Sequence, residues 1–114
     1  MRDPLERLRD VLEAIERIES HRPRTLDALV ADELLQVWAV HHLRIIGEAV
    51  AAVPPEVRTR AADVPWTKIV GMRNVLVHEY FAVNVATVWS VLESDLAPLR
   101  DAVRRLLAEL GSEA

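Results

Sequence analysis

Apolar residues recur at spacings of three and four along most of this 114-residue chain, and that periodicity is its strongest constraint. Leu5, Leu8, Leu12, Ile15 and Ile18 form one such run, and Val85, Val88, Trp89, Leu92 and Leu96 form another. The period is that of an α-helix, not the strict alternation of a half-buried strand. The six prolines mark where runs begin, bend or end. Three glycines, one Phe and one Tyr also supply little of what sheets and their turns require. The helix formers Ala, Leu, Arg and Glu dominate instead.

The start of the first helix has a local mechanism. Asp3 can cap, Pro4 fits the first helical position, and Glu6 completes a capping-box pattern. This helix is predicted to reach about Ser20, where Pro23 forbids continuation. A second helix is predicted from Thr25–Asp27 to about Val53, with Pro54-Pro55 as its stop. Leu34, Val37, Trp38, Ile45 and Ala49 mark its expected core face. His41, Arg44 and Glu48 follow as a polar stripe beside it, with Arg44–Glu48 as an i,i+4 ion pair and His41 as a polar edge of the core. "PPEVRTRAADVP" is expected to be a loop or short turn. Val64-Pro65-Trp66 opens a third helix covering Thr67 to about Tyr80. Asn84, with Thr87 three residues on, caps the next, and Pro98 should kink or split it. Leu99, Val103, Leu106, Leu107 and Leu110 carry the remainder to Gly111. The expected fold is a single all-α domain, residues 1–114, closing as a four- to five-helix up-and-down bundle.

Several function classes fall away on composition. With no Cys, there is no thiol nucleophile, disulfide framework or thiolate metal site. The adjacent His41 and His42 project about 100° apart on a helix and cannot chelate together, so no metal is expected. No apolar run approaches the roughly 20 residues of a membrane span, and the charged N-terminus "MRDPLERLRD" is unlike a signal peptide. A soluble, cytoplasmic protein without a membrane partner is expected. The net charge of −4 opposes a generic nucleic-acid binder. Between Glu56 and His78, however, Arg58, Arg60, Lys68 and Arg73 face Glu56 and Asp63, a local charge of +2. A DNA-binding helix-turn-helix is disfavoured, since no short Gly-bearing turn precedes a basic recognition helix.

The stretch with chemistry in it is "RNVLVHEY", residues 73–80. Arg73 and Tyr80 are seven apart and lie nearly on one helical face, and Asn74 and His78 share another. Arg73 and His78 are separated by about 140° on an ideal helix, so a site using both needs a bent helix end or a second copy packed against the first. The set suits phosphodiester transesterification of RNA, where the ribose 2′-hydroxyl is an internal nucleophile. His78 can move a proton near neutral pH. Arg73 can neutralise charge growing on the phosphorane. Asn74 can orient the imidazole or hold a phosphate oxygen, and Tyr80 can hydrogen-bond a phosphate or stack on a base. The competing reading of the same residues is a structural hydrogen-bond network.

"RNVLVHEY" also matches the R-x(4)-H-x-Y signature of the HEPN superfamily and resembles its HepT-like branch. "RIIGEAV", from Arg44 to Val50, resembles the Gly-Glu-Ala segment of that branch's second helix. "VPWTKIVGMRN" is similar to its Pro-Trp entry into the motif helix, and "VNVATVWSVLESDLAPL" to its Val-Trp and Asp-Leu-Pro segment, here with Ala97 ahead of Pro98. The resemblance implies a helical homodimer whose motif helices meet at a cleft. It implies a metal-independent endoribonuclease with no cofactor, the toxin of a toxin–antitoxin pair. The implied partner is an MNT-type nucleotidyltransferase antitoxin that adenylylates Tyr80. On this basis Arg73 and His78 are the catalytic pair, with Asn74, Tyr80 and Glu48 in support. The alternative is a non-catalytic helical partner, for which the motif is mainly the nucleotidyltransferase's substrate.

Overall fold

A computed structural model describes residues 3–71 and 83–113, and all seven α-helices among them belong to one helical bundle. Helix α1 spans Pro4–His21, and the Asp3 carboxylate accepts from the Leu5 N–H at 2.8 Å as its N-cap. Its run of apolar residues buries Leu8, Ile15 and Ile18 completely, each contributing about 1.5–3 kcal/mol of burial. Leu12 packs against the same core from its edge.

The expected second helix is two. Helix α2 is the single turn Leu26–Val30, capped by the Thr25 hydroxyl, and α3 spans Glu33–Ala51. Asp32 makes the break, because its carboxylate accepts from the Leu35 N–H at 3.0 Å and caps α3. Gln36 closes it from the other side: its Nε2 donates to the carbonyls of Leu29 (2.9 Å) and Val30 (3.1 Å), joining the Asp32 N–H that also reaches Leu29 O at 3.3 Å.

Helix α3 is also turned differently from its expected orientation. Leu34 and Val37 are 83% and 55% exposed, whereas Ala39, Val40, Leu43, Ile46 and Val50 face the core. Ala49 is buried and Trp38 and Ile45 half-buried, so part of the expected face lies along the boundary. Two apolar stripes compete on this helix, and the inner one carries the small residues that let its neighbours approach. A Cβ on Gly47 would lie 3.3 Å from the carbonyl oxygen of Ile69, which places α3 directly against the backbone of α5, Trp66–Val70. Arg44 and Glu48 are both exposed, and among the described residues no ion pair joins them.

The expected loop contains helix α4, Pro55–Arg58, followed by a 3₁₀ turn, Thr59–Ala61. Arg58 folds back on α3: its Nε donates to Val53 O at 3.1 Å, and its Nη2 to Val50 O and Ala51 O at 3.0 and 3.1 Å. Val50 and Ala51 are in the last turn of α3, where a helix runs short of backbone donors, and Val53 follows its C-cap. The buried Trp66 locks the following turn, its indole N–H donating to Arg58 O and Ala61 O at 3.0 Å each.

Helix α6 spans Val85–Ser94 and α7 spans Leu96–Glu113. Asn84 caps α6 by accepting from the Thr87 N–H at 3.2 Å, as the sequence predicts. The division falls at Asp95, leaving Pro98 in the first turn of α7, where its missing N–H costs least. Val88, Leu92, Leu96, Leu99, Val103 and Leu106 complete the core. Arg100 pairs with Glu19 and Arg104 with Glu16, so α7 runs antiparallel to α1. No helix among the described residues is long and apolar enough to cross a membrane.

Candidate active site

Arg73, Asn74, His78 and Tyr80 lie outside the described residues, as does the later part of the third expected helix. What the structure describes is the frame on either side. Upstream, Trp66 and the Gly47 contact fix α5 against α3. Downstream, the Asn84 cap sets the start of α6.

Of the basic residues expected near this stretch, the three that are described are engaged within the fold. Arg58 caps α3, Arg60 lies 3.6 Å from Glu109, and the Lys68 ammonium is 3.1 Å from Asp95. Asp63 in turn sits 3.5 Å from Arg105. The local charge of +2 is therefore not a free basic patch among the described residues, and phosphate attraction from this face is weaker than the sequence suggests.

Glu48 is exposed on α3, one residue after Gly47, and borders a cleft of about 360 Å³ between α1 and α3. Helix α1 contributes Arg7, Asp10, Ala14 and Arg17 to it, at spacings of three and four along one face. Helix α3 contributes His42, Ile45 and Ala49 beside Glu48. Arg17 is occupied by Glu13 at 2.7 Å.

The residue that sequence reasoning passed over is His42. Of the histidine pair, His41 is the exposed one, and His42 is 7% exposed. Its ring is held edge-on by Trp38 at 4.8 Å and by His41 at 5.1 Å between centroids, with His21 edge-on to Trp38 at 5.6 Å. Its Nδ1 is buried without a hydrogen-bond partner among the described residues. Desolvation lowers the pKa of this imidazole below the ordinary 6.5, and the charges of His41 and Arg17 lower it further. The signal was present in the spacing, since Trp38, His42, Ile45 and Ala49 recur at three and four. It became readable once the inner face of α3 was known.

The family model described as Ribonuclease HepT-like matches residues 11–106. "Putative RNase TTE0752" of Caldanaerobacter subterraneus subsp. tengcongensis is 36% identical over 108 residues, covering 94% of this chain and 96% of that protein. "Probable ribonuclease HepT" of Thermococcus cleftensis is 32% identical over 100 residues, 87% of this chain and 91% of that protein. The "Gamma-glutamylcyclotransferase and putative RNase MJ0434" of Methanocaldococcus jannaschii is 32% identical over 104 residues. That alignment covers 90% of this chain, which spans about half, 47%, of the longer archaeal protein. No solved structure matches the chain.

Proposed function

Because this chain belongs to the HepT-like ribonuclease family, we propose that it is a metal-independent endoribonuclease whose catalytic pair is Arg73 and His78. The observation that carries the reading is the family match across residues 11–106, which spans an intact Arg–Asn–His–Tyr motif at 73–80. His78 takes the proton from the ribose 2′-hydroxyl as that oxygen attacks phosphorus. Arg73 stabilises the added negative charge on the phosphorane. The P–O5′ bond then breaks, the leaving oxygen takes up a proton, and the products are a 2′,3′-cyclic phosphate and a 5′-hydroxyl. The angular separation of Arg73 and His78 on an ideal helix favours a homodimer in which each motif helix completes the other. Asn74 orients the imidazole, and Glu48 supports the arginine or the histidine.

In this reading the chain is a cytoplasmic toxin, and its antitoxin is an MNT-type nucleotidyltransferase. Transfer of adenylate to Tyr80 places a negative phosphodiester on the helical face of Arg73 and silences the site through local charge. RNA cleavage by the purified chain tests the proposal. Activity should persist in excess chelator, leave cyclic phosphate ends and vanish in His78→Ala; loss in chelator with rescue by one metal ion rejects the mechanism. Intact mass after incubation with the nucleotidyltransferase and ATP should rise by adenylate units in wild type and not in Tyr80→Phe.

One observation favours a second reading, a non-catalytic partner of the nucleotidyltransferase. Net charge is −4, and Arg58, Arg60 and Lys68 are already engaged within the fold. Expression of the chain alone separates the two. Growth arrest that His78→Ala abolishes supports the enzyme, and equal tolerance of both forms supports the partner.

A further inference from the structure

Helix α3 is closed on every side but one. From Leu34 to Glu48, only Leu34, Val37, His41, Arg44 and Glu48 are exposed, and every other residue is buried or half-buried. Their spacings of three, four, three and four give a period of about 3.5, that of a seam along which one helix receives another. One end of this line is apolar. Leu34 and Val37 are joined there by Val30 and Leu26 of α2, 57% and 38% exposed, and these four are all the exposed large apolar side chains among the described residues. Gln36 Nε2 reaches Val30 O at 3.1 Å, so the end of α2 lies against the start of α3. Single exposed aliphatic side chains need no explanation, but a group of them marks a surface that something covers.

The surroundings narrow what that is. Asp27, Asp32 and Glu33 are exposed within the same stretch, against Arg24 as its one cation. An anionic lipid surface and a nucleic-acid strand both call for basic residues, so neither suits this face. A protein surface remains, and the period of the line asks for a helix. Two observations select a second copy of this chain. At its far end the line reaches Glu48, next to Gly47, whose contact with Ile69 O fixes α5, the helix that leads toward the 73–80 motif. At that motif the separation of Arg73 and His78 already calls for a second copy. The extent also fits. Leu34 to Glu48 spans about 21 Å of helix, and a standard interface of about 800 Å² per partner is about 30 Å across. One copy seated on the line therefore covers the apolar group and also reaches the entry to the motif.

Resting on the second copy that the ribonuclease reading requires, we propose that the exposed line of α3, with Leu26 and Val30 of α2, is the surface on which two copies of this chain join. A two-fold axis sets the same face of each copy against the other. Leu34, Val37 and Val30 form the apolar centre of that face, and His41 and Arg44 belong to its polar rim. The two α3 helices cross antiparallel, because parallel packing would oppose like charges, Arg44 to Arg44 and Glu48 to Glu48.

Sedimentation equilibrium of the full chain tests the surface without RNA. Wild type should sediment with the mass of two chains. Leu34→Asp and Val37→Asp alter side chains that the single chain leaves exposed, so helicity by circular dichroism should be kept. Each should raise the dimer dissociation constant at least about 30-fold. NMR of the labelled wild type with a soluble paramagnetic agent reads the same face without a substitution. The agent should broaden the signals of Arg9, exposed on α1, and spare the methyl groups of Leu34 and Val37. A dimer that both aspartate variants leave intact, broadening of Leu34 and Val37 equal to that of Arg9, or a monomeric wild type would each overturn the proposal; the last would leave the face to a different protein. RNA cleavage is a separate readout. A dimer joined on this face that cleaves no RNA upholds the surface and removes the ribonuclease reading, whereas cleavage by a dimer that ignores both substitutions removes the surface alone.

Discussion

At position 42 a titratable ring occupies a place that an aliphatic side chain could fill. The native fold disfavours protonation of His42, first by desolvation and then through His41 and Arg17. The unfolded chain has no such bias and takes up a proton near the ordinary 6.5. Well above that pH both states are neutral at this site and it adds no pH dependence. As pH falls through it, the unfolded state binds the proton that the native state resists, so stability declines and then levels off once the native ring also charges. Thermal midpoints should therefore fall between about pH 7.5 and about pH 5.5, and fall less in His42→Gln. Equal pH slopes for the two proteins would remove His42 from the account. Legibility at this scale was uneven for a physical reason. Arg73, Asn74, His78 and Tyr80 could be picked out because four polar groups interrupt an apolar run. His42 could not, because its significance depends on which side of α3 faces the protein's own core. Of the residues singled out in advance, the structure describes Glu48 and places it beside His42 at the cleft.

Helix boundaries were legible wherever a side chain caps or a ring forbids continuation. Asp3, Pro23, Pro54 and Asn84 all fall where the chain changes element. The break between α2 and α3 escaped notice because no Pro or Gly marks it; it rests on the Asp32 cap and on Gln36 reaching back to Leu29 and Val30. The orientation of α3 escaped because periodicity identifies faces without saying which of two apolar faces a neighbour covers. Gly47 settles that choice, and its substitution tests it. Gly47→Ala sets a gain of about 1 kcal/mol in helix propensity against a Cβ at 3.3 Å from Ile69 O, so chemical denaturation should find it close to neutral. Gly47→Leu has nothing to offset the clash and should lose about 1–3 kcal/mol. Arg58 makes the complementary case at the far end of α3. Arg58→Ala removes the side-chain donor to the Val50, Ala51 and Val53 carbonyls, of which Val50 keeps the Val53 N–H, and should cost about 1–3 kcal/mol. Arg58→Lys should recover little of that, because an ammonium cannot reproduce the fork that meets three carbonyls at once. Full recovery by lysine would mean that charge near the helix end, and not the fork, is what α3 requires.

For the molecule as a whole, the decisive quantity is how much positive charge remains for RNA once the fold has used its own. The chain is acidic, with a net charge of −4, and Arg17, Arg22, Arg60, Lys68, Arg100 and Arg105 all face carboxylates within the bundle. A protein that grips a single strand by its phosphates releases counterions in proportion to the contacts made, with a slope of about −0.7 per phosphate in log affinity against log salt. In the proposed ribonuclease, an active site centred on Arg73 would make few such contacts, since so many of the described cations already face carboxylates. Binding of single-stranded RNA to the His78→Ala form, followed by fluorescence anisotropy across a salt series, should therefore give a shallow slope, about −1 to −2, corresponding to about two or three phosphates. A slope of about −4 or steeper would mean that phosphates, not bases, hold the RNA. The free cations responsible would then have to lie on a surface other than the α1–α3 cleft, where carboxylates outnumber arginines.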